Sequence, residues 1–562
     1  MPRPPGASGV VTAAVSPEVL PEQLLEQLCV PGAEGVRGHL CLPDALPGAP
    51  QASLSWSSSA PDVVSDHEQD GRAPGVVRRP PPGAGPVQVS LLATLRLPQG
   101  SAQREFLVTV LPAIELAETS RYAMVNFARS NSHDGQQLYF AVSEGDDPTA
   151  WRAVNGGRAV LRSTAGMHAV RDPSIVRSPE GDRFFLVATD LNVDAPEHGW
   201  RGWDWAQSGA SRHLEVWESS DLRTWSAQRH VLVAPPEAGM AFAPEAIWAP
   251  ELGSYVVTWT SSLYPPGTSF REDRTGGRFP LTRNVTMYAL TRDFVTFSPA
   301  RVLSGRPGHG TLDAVTVRGD DGAGYHRFVC DRVSTGDAVR PYSSADGGDD
   351  IYQERAAQVL APPEDWELVA PAITRRAAGT RYAEAPMVVR ANPGDPRGGV
   401  YLWADQQWEH SPAGEPWEQQ LSPYWAPSLD SGEWTPLPWQ TPEYHLARGV
   451  IRHGGVIGIT VLEHAALRGA HLLRLHIDRP PRRTRYRCGE DLDLAGLRVS
   501  ADFDDGLLGE ELLPGHGGYV VTGFDPQRRG PQDIQVQADD GRGPLAAGLA
   551  AAVSFTVVVD GS

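Results

Sequence analysis

Short runs of apolar and β-branched residues, each bounded by Gly, Pro, Asp or Asn, recur along the whole chain. A helical period shows only over residues 16–29. That pattern predicts an all-β protein. At the front, LSWSSSAPDVVS, VSLLATLRL and REFLVTVLP alternate apolar with polar positions and predict a β-sandwich over residues 19–113, behind a tail at 1–18. At the back, beyond a Pro/Arg-rich linker at 479–484, the runs YRCGEDLDLAGLRVSADFDDG, YVVTGFDPQRRGPQDIQVQADDG and VSFTVVVD predict a second small sandwich over 485–562.

Residues 114–478 carry a repeat. Five polar turns each end in an aromatic residue that opens a new strand: Trp151, Trp225, Phe297, Trp366 and Trp434. They recur about every 70 residues, room for four strands and their loops. The expected fold is therefore a five-bladed β-propeller between the two sandwiches. The blade that begins around Arg452 should be completed by strands from the front, Tyr122 to Arg129 and Gln137 to Ser143.

A polar residue follows each marker at a similar distance and opens the next apolar strand: Asp172 in VRDPSIVRS, Glu245 in FAPEAIW, Asp313 in TLDAVTV, Glu384 in YAEAPMVV and His453 in VIRHGGVIG. A second strand follows each, namely FFLVATD, SYVVTWT, YHRFVC, VYLWAD and, for the fifth, HLLRLHI. Inner strands of a propeller surround one axis, so four acids and a histidine at the same phase face one funnel. Carboxylates gathered there must have their pKa values driven apart, the condition for a general acid and a general base on either side of a glycosidic bond. Taken singly, each has a structural reading: Asp172 before Pro as a turn starter, Glu384 as a strand-edge charge, His453 as a satisfied polar group.

The ordered set RDPSIVRSPEGDRFFLVATD, FAPEAIW, LDAVTV, YAEAPMVV and IRHGG resembles the successive blade motifs of glycoside hydrolase family 43, the arabinosidases and xylosidases, over roughly residues 120–477. The resemblance implies Asp172 as general base, Asp313 as the residue that tunes and orients its partner, and Glu384 as general acid, with inversion at the anomeric centre. Glu245 matches a motif that is substrate-side or structural. His453 matches a histidine that in many members holds an axial calcium or sodium ion through water; the chemistry itself requires no cofactor. Two departures stand out: Asp313 is followed by Ala, and Phe242 stands where Trp is usual. Both flanking regions resemble bacterial immunoglobulin-like modules.

On the substrate side, WRGWDW (residues 200–205, with Trp203 at its centre) and the loop carrying Trp408, Trp417 and Trp425 offer indole faces for sugar stacking. Arg171, Asp190, Phe242, Glu245 and Asp405 are the further expected substrate contacts. Charge narrows the partners: 49 basic against 68 acidic residues, a net −19, with every basic residue an Arg, argues against nucleic acid and anionic membrane and leaves carbohydrate. No obligate protein partner is indicated. Cys29, Cys41, Cys330 and Cys488 have no metal-ligand spacing; Cys29 and Cys41 could pair, with burial as small apolar side chains the expectation. The first twenty residues show no signal-peptide pattern, so the compartment stays open: secreted or cell-associated if a leader was removed, otherwise cytoplasmic.

These features make an α-L-arabinofuranosidase the leading expectation and a β-xylosidase the near alternative. A silent carbohydrate-binding propeller would keep the fold without the three carboxylates. A sialidase would need an arginine triad, and a fructan hydrolase an N-terminal Asn-Asp-Pro nucleophile motif; neither is seen.

Overall fold

The computed structural model describes residues 20–560 apart from 47–48, 50, 99, 131–135, 194–202, 265–282, 305–309, 333–349, 381, 408–418, 446–448 and 540–551. It divides into two compact units, one from the front of the chain (to Ala113, with Pro250–Ser254 and Thr291–Thr296) and one from Ile114 onward.

The front unit holds a three-stranded antiparallel sheet: β1 (Ser53–Ser58), β2 (Val87–Leu97) and β3 (Gly100–Val110). The alternation of β2 decides its faces. Val89, Leu91, Ala93, Leu95 and Leu97 are buried on one side, while the residues between them stay at least partly exposed. Cys29 and Cys41 are both free; Cys29 is exposed rather than buried.

The middle of the second unit forms five four-stranded antiparallel sheets. The chain first lays down β4 (Arg121–Ser130), β5 (Tyr139–Glu144) and β6 (Asp147–Ala153). The next sheet is β7 (Val170–Arg177), β8 (Phe184–Asp190), β9 (His213–Ser219) and β10 (Arg229–Leu232). Then come β11 (Phe242–Ala249), β12 (Ser254–Leu263), β13 (Arg283–Thr291) and β14 (Arg301–Ser304), followed by β15 (Gly310–Arg318), β16 (Tyr325–Arg332), β17 (Ile351–Ala356) and β18 (Glu367–Ala370). The fourth comprises β19 (Tyr382–Arg390), β20 (Val400–Gln407), β21 (Gln419–Ala426) and β22 (Thr435–Pro436). Last, β23 (Gly449–Ile459) returns to pair with β4 and completes the sheet of β4–β6. The front strands thus close the fifth sheet, as the sequence predicts.

The inner strands β7, β11, β15, β19 and β23 adjoin in that order, and β23 adjoins β7, closing the ring of a propeller. The aromatic markers precede or occupy the outermost strands, and three of them wedge between sheets. Trp151 meets Trp403 edge-on at 6.2 Å, Trp434 meets Phe328 at 5.6 Å, and Trp225 lies 5.8 Å from Phe140. Large aromatic rings filling the space between twisted sheets explain why the repeat is written in tryptophan.

One strand is assigned differently. The run HLLRLHI belongs to β24 (Leu472–Arg479), which pairs with β26 (Arg498–Phe503) in the C-terminal sandwich rather than with the fifth blade; β25 (Arg485–Arg487) lies between them in the chain. Its alternation correctly indicates a strand but carries no information about its sheet partner. The sandwich is completed by β27 (Glu510–Leu512), β28 (Gly518–Thr522), β29 (Gly530–Asp539) and β30 (Ala552–Asp560), with Val499, Ala501, Phe503, Val536 and Ala538 buried between the sheets. A helix missed by the strand-based reading, α1 (Val461–Arg468), separates it from the propeller. Thr460 and Glu463 form its capping box, and Glu463 also takes both Nη atoms of Arg177, at 2.6 and 2.7 Å.

Candidate active site

The funnel is built from broken strands. In β7, β15, β19 and β23 the register slips between Arg171 and Ser174, Leu312 and Val315, Glu384 and Met387, and Arg452 and Gly454. Four inner strands also carry a non-glycine residue in the left-handed region: Asp172 (φ 48°), Ala243 (φ 47°), Asp313 (φ 52°) and Ala385 (φ 59°). Each such residue costs on the order of 1–3 kcal/mol and persists only where its surroundings over-determine it. Bulges of this kind re-aim side chains at active sites.

Here the hydrogen bonds that hold them run from blade to blade. The Ala243 N–H donates to Thr189 Oγ1 at 2.8 Å, the Asp313 N–H to Thr260 Oγ1 at 3.2 Å, the Ala385 N–H to Asp313 Oδ2 at 3.1 Å, and the His453 N–H to Asp405 Oδ2 at 3.3 Å. The five polar residues share a level but not one position. Asp172 and Asp313 occupy the left-handed residue, Glu384 precedes it by one, and Glu245 lies two beyond Ala243.

Two ion-paired groups result. In the first, His453 Nδ1 lies 3.5 Å from Asp172 Oδ1, and the Ser174 hydroxyl donates to Glu245 Oε2 at 2.6 Å. Burial pushes the Asp172 carboxyl up, but His453, Arg171 and Arg452 together hold it below the usual carboxylate value. Burial disfavours charge on His453, yet Asp172, Asp313 and Glu245 overcome it and raise the imidazole to about 9. Burial takes Glu245 up to about 7, against the pull of Ser174 and His453.

In the second group, Arg452 spans two acids. Its Nε donates to Asp405 Oδ2 at 2.5 Å and its Nη2 to Glu384 Oε1 at 2.9 Å. The Tyr382 hydroxyl holds the other Glu384 oxygen. Burial alone would lower the Arg452 pKa, but the two carboxylates raise it above the normal guanidinium range.

The remaining expected residues divide. Arg171 is buried, its guanidinium 4.4 Å over the Phe127 ring and one Nη donating to Gln136 at 3.4 Å. Phe242 is buried with Met167, Leu191, Ala206 and Met240, and Trp205 packs on that cluster. Asp405 is wholly buried behind Arg452 and presents nothing to a substrate. Asp190 is buried as well; Oδ1 accepts from Met167 N–H at 2.6 Å. Trp425 is a packing residue whose indole donates to the Gly398 carbonyl at 2.8 Å. Trp203 opens the short helix Trp203–Gly209, and its side chain lies outside the described residues, as do Trp200, Trp408 and Trp417.

The sequence reading missed Arg452, Tyr382 and Ser174 as members of the site. Their signals were local: Arg452 adjoins His453, Tyr382 lies two residues before Glu384 on the same strand face, and Ser174 lies two residues after Asp172, just past the register slip of β7.

The axial ion that the resemblance implies would be reached through His453, whose Nδ1 faces Asp172 and whose Nε2 is buried with no hydrogen-bond partner, the atom to which a bridging water could bond. Among the described residues the group whose ligand atoms lie within 4.8 Å of one another is Asp190, Glu215 and His230, in the first blade. There Glu215 already engages Gln228 and His230, and His230 stacks at 4.0 Å on His213.

Residues 118–465 match the family model of a probable glycosyl hydrolase domain related to family 43. The chain belongs to the family 43-related glycosyl hydrolases. The matched span covers the propeller, and residues 29–113 match an atrophied bacterial immunoglobulin domain. The chain is 31% identical over 357 residues to an α-L-arabinofuranosidase of Bifidobacterium longum subsp. longum, covering 60% of this chain and 32% of the relative, so it spans about a third of that protein. Similar solved structures include an α-L-arabinofuranosidase from Lactobacillus brevis (12% identity, TM-score 0.30, 48% of this chain and 72% of that one). Another is an exo-β-1,3-galactanase from Clostridium thermocellum (12% identity, TM-score 0.28, 68% and 72%).

Proposed function

We propose that this family 43-related chain is an inverting glycosidase that releases terminal α-L-arabinofuranosyl residues from polysaccharide side chains or oligosaccharides. The observation that carries the reading is the contrast between two carboxyl groups of one funnel. Asp172 is held ionised beside His453, whereas Glu384 shares its guanidinium partner with a second acid. In this reading Asp172 takes a proton from a water as that water attacks the anomeric carbon. Glu384 gives its proton to the glycosidic oxygen as the C–O bond breaks, and sugar and alcohol leave as neutral molecules. Asp313 orients the acid's strand through the Ala385 N–H, and Arg171 steadies the base. The arabinofuranosidase of B. longum supports the choice of sugar.

The test is proton NMR of the sugar first released from p-nitrophenyl α-L-arabinofuranoside, with p-nitrophenyl β-D-xyloside alongside. Early appearance of the β-anomer of arabinose fits the reading. Retained configuration would remove the two-carboxylate inverting scheme, faster xyloside turnover would change the sugar, and binding without turnover would leave a lectin.

A further inference from the structure

We propose that Asp190, Glu215 and His230 form a binding site for one divalent transition-metal ion of the zinc class, held across three strands of the first blade. The site is separate from the chemistry of the funnel.

Strand pairing brings the three side chains together. His230 on β10 lies directly opposite Glu215 on β9, and Ala188 on β8 lies opposite Glu215 on its other side. Asp190, two residues past Ala188, therefore stands on the same face of the sheet. One ligand atom from each residue, two carboxylate oxygens and an imidazole nitrogen, lies within 4.8 Å of the others. Donors to one ion at bond lengths of about 2.0–2.2 Å stand roughly 3–4 Å apart, so small side-chain rotations close the three on it.

The charges call for a cation. Asp190 is 2% exposed and Glu215 not at all, and two carboxylates are costly to bury side by side unless positive charge meets them. Elsewhere the chain answers a buried glutamate with a guanidinium: Arg327 pairs with Glu354 and Arg177 with Glu463. In the first blade the ion-pair partner of Glu215 is His230, and among the described residues Asp190 has none within 4 Å. The positive groups acting most strongly on the two acids are imidazoles, His230 on both and His168 on Asp190. A proton on His230 offsets one carboxylate; a divalent ion offsets both.

The ligands are also held from outside. Asp190 Oδ1 accepts from the Met167 N–H at 2.6 Å, and the Ser211 hydroxyl bonds the same carboxyl. Glu215 Oε2 accepts from Gln228 Nε2 at 2.5 Å, and Gln228 is fixed in turn by the Thr164 N–H at 2.7 Å. Glu215 Oε1 lies 2.5 Å from His230 Nδ1, the contact of a shared proton that a bound ion would displace into solvent. Outer donors that fix carboxylate ligands are a regular part of metal centres. His213 stacks flat on the His230 ring at 4.0 Å and sets its tilt, and burial lowers the His213 imidazole to about 4, so it adds no charge to repel an ion. Gly166 leaves room beside the acid, since a Cβ there would stand 2.2 Å from Asp190 Oδ2.

Three surface pairs mark the difference. His67 with Asp66, His471 with Asp504 and His476 with Asp502 each join an imidazole to one carboxylate. Among the described residues, the first blade alone adds a second acid within ligand reach. An imidazole beside two carboxylates suits Zn²⁺, Co²⁺ or Mn²⁺, whereas Ca²⁺ takes a larger shell of oxygens.

The experiment titrates Co²⁺ into the intact, chelator-stripped chain and follows its visible ligand-field absorption, with Zn²⁺ as the displacing ion in calorimetry. One equivalent should bind with micromolar affinity or tighter. The thermal midpoint should rise by about 2–5 °C at roughly a hundredfold excess of Zn²⁺ over its dissociation constant. His230→Ala, on the exposed outer strand, and Glu215→Gln, which keeps the shape of the buried side chain, should each weaken binding by roughly 10²-fold or more. Gln228→Ala should cost about 10- to 100-fold, the range for an outer partner, and His476→Ala should change nothing. Circular dichroism verifies the folding of each variant. Absence of a saturable Co²⁺ signal, its survival in folded His230→Ala or Glu215→Gln, or its loss in His476→Ala overturns the proposal and leaves a proton shared by the three residues. Binding of Ca²⁺ without Co²⁺ overturns the metal class.

Discussion

The two sides of the funnel solve one problem with different cations. On one side Asp172 and Glu245 face an imidazole, whose charge depends on pH; on the other Glu384 and Asp405 face a guanidinium, whose charge does not. The imidazole side loses the charge of His453 as pH rises through about 9, while Arg171 and Arg452 still favour the ionised Asp172. The guanidinium side keeps its cation across the same range. A hydrolase that needs one carboxylate and one carboxylic acid at the same pH is served by such asymmetry.

The comparison breaks most severely on the guanidinium side. Arg452→Met should strand the wholly buried Asp405 charge and cost about 3–5 kcal/mol, the range for removing one partner of a buried pair. Urea denaturation measures it; a loss below about 1 kcal/mol would mean that Asp405 is not ionised. Next comes the closure that brings β23 to the axis. A Cβ on Gly454 would stand 1.9 Å from the Val125 carbonyl oxygen and 2.8 Å from Asn126 Cα, backbone that cannot swing aside. Gly454→Ala should therefore destabilise by about 1–3 kcal/mol or more and reduce activity with it, whereas Gly85→Ala, with open space around its Cβ and no left-handed backbone, should be milder.

The smallest effect sharpens the pH argument. His453 has a folded value of about 9, above its ordinary 6.5, so its contribution to stability is complete below about 6.5 and is lost as pH rises through 9. Glu245, raised from 4.5 to about 7, adds stability that fades as pH climbs from 4.5 through 7. Asp172 has the opposite sign: its lowered value gives stability above the unfolded carboxylate range that disappears as pH falls through the folded one. Denaturation midpoints should consequently fall between pH 5 and pH 9, and His453→Gln should flatten the upper half of that decline. An unchanged slope in the variant would show that the imidazole is not the cation of this side.

Much of this was legible in the sequence because the site interrupts a regular pattern. Asp172, Asp313 and Glu384 stand where apolar inner strands should begin, and the tryptophan markers fix the phase from which they are counted. The supposed common position resolved into several, since bulges insert residues that sequence spacing cannot distinguish from loop length. Asp405 illustrates the other limit. At the end of a strand it reads as a ligand contact, and only the packing of β23 against β19 shows that Arg452 covers it. HLLRLHI is the same lesson at the level of topology, because alternation gives a strand two faces but no neighbour.

The most direct measurement is hydrolysis of p-nitrophenyl α-L-arabinofuranoside by the intact chain, by Asp172→Asn and by Glu384→Gln, with folding of each verified by circular dichroism. The account predicts turnover by the intact chain and losses of about 10²–10⁴-fold or more in each folded variant. Turnover that survives in either folded variant would contradict it.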